Sequence, residues 1–131
     1  MAPSPPLEVR DFVSRQPAEL LFTTSICEAE ILSGIAIMPK GRRRLGLEAA
    51  ARAMFSEDFD CRVLPFDEEA AIAYAEIFAA RRQAGKPIAM ADLMIAAIAS
   101  SQKASVVTRN AADFDLCSVT VINPWSTSPS P

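Results

Sequence analysis

Short apolar runs alternate with helix-patterned stretches from one end of this chain to the other. That alternation restricts the fold more than any other feature. Leu20–Thr24, Cys61–Pro65, Ala104–Thr108 and Val119–Ile122 read as strands. Between them lie Leu7–Arg15, a helix opening at Ser25 with Gly34 as its stop, Gly41–Phe59, Glu68 to about Ala84, and about Met90–Ser101. A strand that feeds a helix and returns to a parallel neighbour builds an α/β fold. The expectation is a three-layer α/β/α sandwich around a parallel sheet. At 131 residues the chain forms one domain. Residues 1–6 and 126–131 are rich in Pro and Ser and should fray.

Local signals sharpen this reading. Ser25 and Glu28 fit a capping box, in which each side chain would satisfy the other's free backbone N–H. Asp67 is a good N-cap for the helix that follows. The core positions of that helix would be Ala70, Ala71, Tyr74, Ile77 and Phe78. The text QAGKPIAM ends it.

Composition removes several kinds of chemistry. There is no histidine, which excludes His general bases, Ser-His-Asp and Cys-His nucleophiles, and His-ligated zinc. The cysteines Cys27, Cys61 and Cys117 are odd in number and form no C-x-x-C, so they read as reduced, buried small hydrophobes of a cytoplasmic protein. The start MAPSPPLEVR has no apolar signal-peptide core. The longest apolar stretch, Ile88 to Ser100, is interrupted by Asp92 and too short to span a membrane. Net charge is −3, so nucleic acid could be held only through a local basic patch or a metal. With only four glycines, phosphate-cradling loops are nearly excluded.

The remaining candidates for chemistry are three acids placed just beyond apolar runs: Glu30 in EAEILSG, Asp92 in ADLMIAAIA and Asp113 in TRNAADF. Carboxylates gathered at strand ends of an α/β sheet would hold a hard divalent cation such as Mg²⁺. Asp92 opens the most apolar helix, where the dipole favours its ionised form. Taken alone it also reads as a first-turn Asp that only stabilises the helix. Glu30 lies between Ala29 and Ile31, where a carboxylate is costly unless paired or metal-bound. Its plainer reading is an exposed helix Glu. Asp113 follows a buried strand, with Thr108 and Asn110 placed to orient it or a water. Its plainer reading is a turn residue.

Arg42, Arg43 and Arg44 could grip phosphates, although charge runs are usually solvated faces. Arg81, Arg82 and Lys86 form a second basic group with the same two readings. Trp125 reads as a lid on the core.

The texts TTSICEAEILSGIAIMPKGRRR, VLPFDEEAAIAYAEIFAARRQAGKPIAMADLMIAAIA and VVTRNAADFDLCSVTVINPW occur in the order found in PIN-domain proteins. Together they cover most of the chain. The sequence resembles the branch of that family formed by toxin ribonucleases of the VapC and FitB type. The resemblance implies acidic active-site roles for Glu30, Asp92 and Asp113. It also implies Mg²⁺ or Mn²⁺ as cofactor, an RNA substrate, a homodimer and a small antitoxin partner. One departure stands out. The family normally opens with a strand of the type I-V-L-D-T-N-V-L-S-E, whose Asp is a principal metal ligand, and this sequence shows nothing like it. Asp11 lies inside the first helical stretch and is no substitute. Three expectations follow: that strand lies upstream, the sheet closes without it, or another chain supplies it.

The leading functional expectation is a Mg²⁺-dependent endoribonuclease toxin, weakly active or inactive in this form. The alternative is a catalytically dead PIN-like module that dimerises or binds antitoxin. A receiver-like signalling domain also clusters acids, but mainly at the end of its first strand, which is the part not seen here.

Overall fold

The computed structural model describes residues 11–12, 15–17, 20–60, 62–108, 111–117 and 119–123. Cys61, Asn110, Trp125, both expected frayed ends and most of the first expected helix lie outside them. Asp11, Phe12 and Arg15 of that helix are described, and all are helical. In order, the elements are β1 (Thr23–Thr24), α1 (Ser25–Ala36), α2 (Arg42–Ala53), β2 (Val63–Leu64), α3 (Glu68–Gln83), α4 (Met90–Ser101), β3 (Val106–Val107) and β4 (Val121–Ile122). A π-helical turn, Met54–Asp58, prolongs α2, and a 3-10 turn, Ala111–Phe114, follows β3.

The alternation expected from sequence holds, and all pairing is parallel. The strands are shorter than the apolar runs that mark them, and they do not form one sheet. β1 pairs with β2 and β3 with β4, as two separate ladders with Thr23 opposite Val63 and Val106 opposite Val121. Among the described residues no strand joins the ladders. The amide of Thr23 donates to Arg62 C=O at 3.0 Å, and those of Val106 and Thr108 donate to Thr120 and Ile122 C=O at 2.8 and 3.0 Å. Backbone direction alternates along a strand, so Thr24 and Val107 present their groups to the opposite edge. Between the ladders lies a groove of about 590 Å³, lined by Thr24, Ile95, Ile98, Ala99, Val106 and Val107 among others.

α3 and α4 form the main helix pair. Asp67 caps α3 as expected, its Oδ1 accepting from Ala70 N at 2.9 Å. Glu68 and Glu69 in the first turn and Arg81 and Arg82 in the last complement the helix dipole. The helix stops in a Schellman motif: Gly85 N–H donates to Arg82 C=O and Lys86 N–H to Arg81 C=O, with Gly85 at φ +68°. The core face of α3 differs from the expected one. Ala70, Ile77 and Arg81 are buried, whereas Ala71 and Phe78 are exposed. α4 is buried at Leu93 and from Ala96 to Ala99, hence nearly all round, as a central helix must be. Its core continues into Val106, Phe114 and Cys117. Ile35, Ala51 and Phe55 form a smaller cluster between α1 and α2.

The capping box at Ser25 does not form. Thr24 is the N-cap of α1, its hydroxyl accepting from Cys27 N at 3.1 Å. β1 ends at Thr24, as expected from the apolar run, and Thr24 is extended at φ −126° and ψ 158°, so it caps the helix while Ser25 is already helical. Gly34 does not stop α1 either, since the helix runs on to Ala36.

Candidate active site

Asp92 sits at the third helical position of α4, after Ala89, whose methyl side chain cannot cap. Asp92 is the acidic residue in that first turn, where the helix dipole favours negative charge. It is half-buried. Asp113 is exposed and lies in the 3-10 turn, which the buried Phe114 pins to the core. That turn packs against α4 and β4. The acids expected at 92 and 113 are therefore carried by touching segments.

The buried Cys117 thiol lies within the electrostatic influence of both segments. Burial pushes its thiol above the ordinary value of 9.0, the Arg81 guanidinium opposes this, and the carboxylates of Asp115 and Asp92 add to the rise. Arg81 is only 5 % exposed. Its Nη1 donates to Asp115 C=O at 2.7 Å and its Nη2 to Pro87 C=O at 3.2 Å. One guanidinium thus fastens the end of the Asp113 loop and the approach to Asp92. The sequence reading placed Arg81 in a surface patch and missed this. The available signal was its spacing of four from Ile77, which puts both on one helix face.

Glu30 behaves differently. It is exposed, as are its neighbours Ala29 and Ile31, so no desolvation cost calls for a partner or a metal. Among the described residues, no group of three or more Asp, Glu or Cys could hold a metal ion. Asp92, Asp113 and Glu30 as placed do not fit a three-carboxylate Mg²⁺ site. Of the two supporting residues, Thr108 is half-buried just past β3, with its amide on Ile122 C=O. In the Arg42–Arg44 run, Arg44 is committed to Glu48 at 2.9 Å and to Met38 C=O at 3.2 Å, while Arg42 and Arg43 are exposed.

A second concavity, of about 710 Å³, lies between α1 and α2. Leu32, Ile35, Phe55 and Val63 give it an apolar wall, and Glu28, Glu48 and Arg52 supply charge. No described helix is long and apolar enough to cross a membrane.

Comparison with known proteins agrees with this architecture. Residues 5–117 match the PIN domain family model. The chain is 39% identical over 121 residues to the plasmid stability protein StbB of Pseudomonas syringae pv. tomato, covering 92% of this chain and 87% of the relative. It is 33% identical over 125 residues to the toxin FitB of Neisseria gonorrhoeae, covering 95% of this chain and 90% of FitB. Among solved structures, a FitAB complex bound to a DNA fragment superimposes with a TM-score of 0.89 at 32% identity, over 98% of this chain and 90% of that one. With the family model spanning most of its length and parallel α/β elements in the matching order, the chain belongs to the PIN-domain family.

Proposed function

We propose that this protein is the ribonuclease toxin of a toxin–antitoxin pair, acting on RNA in the cytoplasm as a homodimer. The observation that carries this reading is the near-complete superposition on FitAB, over 98% of this chain. A relative 35% identical over 92% of this chain is named a VapC ribonuclease. Asp92 and Asp113 are the residues we assign to the reacting phosphate, with Glu30 at its margin. Thr108 and Asn110 would support Asp113. A divalent cation, Mg²⁺ or Mn²⁺, needs a further carboxylate beside Asp92 and Asp113, because the acids among the described residues do not form a set that could hold one. Cleavage by the chain as it stands is therefore weak or absent.

The groove between β1 and β3 offers the position for that carboxylate. A strand laid there would pair with the free edges at Thr24 and Val107 and end beside the starts of α1 and the 3-10 turn. RNA cleavage with Mg²⁺ and with EDTA, by this chain and by a version extended with an Asp-bearing strand, tests the reading. Metal-dependent cutting by the extended version, lost on Asp92→Asn, supports it. Undiminished cutting after Asp92→Asn refutes the role of that residue.

A second reading rests on the α1–α2 groove. Leu32 on α1, 45% exposed, lines it beside Ile35, Phe55 and Val63. Such an apolar surface, with Arg42 and Arg43 nearby in sequence, suits an antitoxin segment. A chain that binds antitoxin and never cuts RNA in either form would be an interaction module.

A further inference from the structure

The basic group near the end of α3 does not form a featureless solvated face. Arg81, Arg82 and Lys86 all line a cavity of about 410 Å³ between the C-terminal half of α3 and the segment that leads into α4. Tyr74, Phe78, Ile88 and Met90 supply its apolar wall. Its volume falls within the range of sites that take small ligands. No Asp or Glu among the described residues lines it, so the three cations face no compensating charge from them there.

Arg81 makes this imbalance costly. It is buried, its hydrogen-bond acceptors are both backbone carbonyls, and its Nε has no partner among the described residues. A buried guanidinium without a carboxylate leaves a positive potential in its surroundings, which an anion would offset. Arg82 and Lys86 are exposed at the same cavity and take part in no ion pair among the described residues. The apolar wall is also accessible: Phe78 is 45% and Met90 69% exposed. The rings of Tyr74 and Phe78 lie nearly parallel, with an interplanar angle of 6°.

Cations beside an open aromatic face are the two halves of nucleotide recognition. The phosphate goes to Arg or Lys, and the base lies on an aromatic or apolar surface. We propose that this cavity binds one nucleotide unit of single-stranded RNA, its phosphate at Arg82 and Lys86 and its base against Phe78 and Met90. The site deepens the ribonuclease reading, because it adds an RNA-holding position apart from Asp113. A free nucleoside monophosphate shares this chemistry, and the test separates the two.

The experiment measures binding of a short labelled single-stranded RNA to the full chain by fluorescence anisotropy in EDTA, so that neither cleavage nor metal contributes. The double variant Arg82→Gln/Lys86→Gln should weaken binding at least about tenfold and flatten the salt dependence of log Kd by about 0.7, the value for one phosphate of a single strand. Phe78→Ala should weaken it by about 5- to 150-fold, the range for one base stacked on an aromatic ring. Lys40→Gln, at an exposed lysine away from the cavity, should leave it within twofold, and circular dichroism should show all variants folded. Competition by a nucleoside monophosphate as effective as the RNA would show that a free nucleotide is the ligand and overturn the strand assignment. The proposal also fails if RNA does not bind, if the Arg82/Lys86 variant binds unchanged, or if Phe78→Ala splits a dimer without affecting RNA. RNA held through Arg82 and Lys86 but never cut would leave this site standing and remove the ribonuclease reading. RNA cut by the extended version but bound independently of these residues would do the reverse.

Discussion

The guanidinium of Arg81, near the end of α3, holds the backbone carbonyl of Asp115 at 2.7 Å, 34 residues further along the chain. A second hydrogen bond from the same group reaches Pro87 C=O at 3.2 Å. The loop that carries Asp113 and the approach to Asp92 are therefore positioned by one buried side chain. Replacing it with Met keeps much of the volume and removes a buried charge, but leaves both carbonyls without a donor. The unmet carbonyls should win, and Arg81→Met should lower stability by about 1–3 kcal/mol, read as a fall in urea midpoint. An unchanged midpoint would show that water replaces the clamp at no cost.

Thr24, not Ser25, caps α1. Thr24→Ala should cost about 0.5–2 kcal/mol, and Ser25→Ala only a few tenths. The reverse order in thermal or urea unfolding would restore the capping box and move the helix start by one residue.

Gly85 takes φ +68° at the end of α3, and a Cβ added there would meet nothing within 4 Å. The cost of Gly85→Ala is then a matter of backbone conformation alone, about 1–2 kcal/mol. A larger loss would mean that the Schellman turn itself rearranges, and amide exchange at Lys86 would report it.

Cys117 has its thiol pKa raised by burial, with Arg81 opposing and Asp115 and Asp92 assisting. An acid whose folded pKa lies above its unfolded value of 9.0 keeps its proton more firmly when folded. Its contribution is complete below that pH and is lost as pH climbs through the folded value. Stability should fall above pH 9 with a slope of up to about 1.4 kcal/mol per pH unit from this one group. The slope should shrink in Cys117→Ala relative to the parent, with the difference between the two curves isolating the thiol. Parallel curves would show that Cys117 is ionised equally in both states.

Local chemistry was legible wherever a single segment determines it. The α3 boundaries followed from Asp67 at the start and the AGKP text at the end, because caps and breakers act within a few residues. The α4 helix followed from its apolar run, and Asp92 fell in its first turn as expected. The capping box misled because Thr24 and Ser25 are both competent caps. Which one acts depends on where β1 stops, and that depends on its pairing with β2, some forty residues away.

The sequence by itself determined the order of strands and helices, their parallel character and the PIN-like set of segments. Periodicity and connection length carry that information along the chain. Only the tertiary structure decided that Arg81 turns inward while Phe78 stays exposed, that Glu30 stands in solvent, and that the strands form two ladders with a groove between them. Each of these depends on what lies opposite in space. A buried guanidinium is tolerable only because the carbonyls of Pro87, in the connection that follows α3, and of Asp115, in a distant loop, arrive beside it.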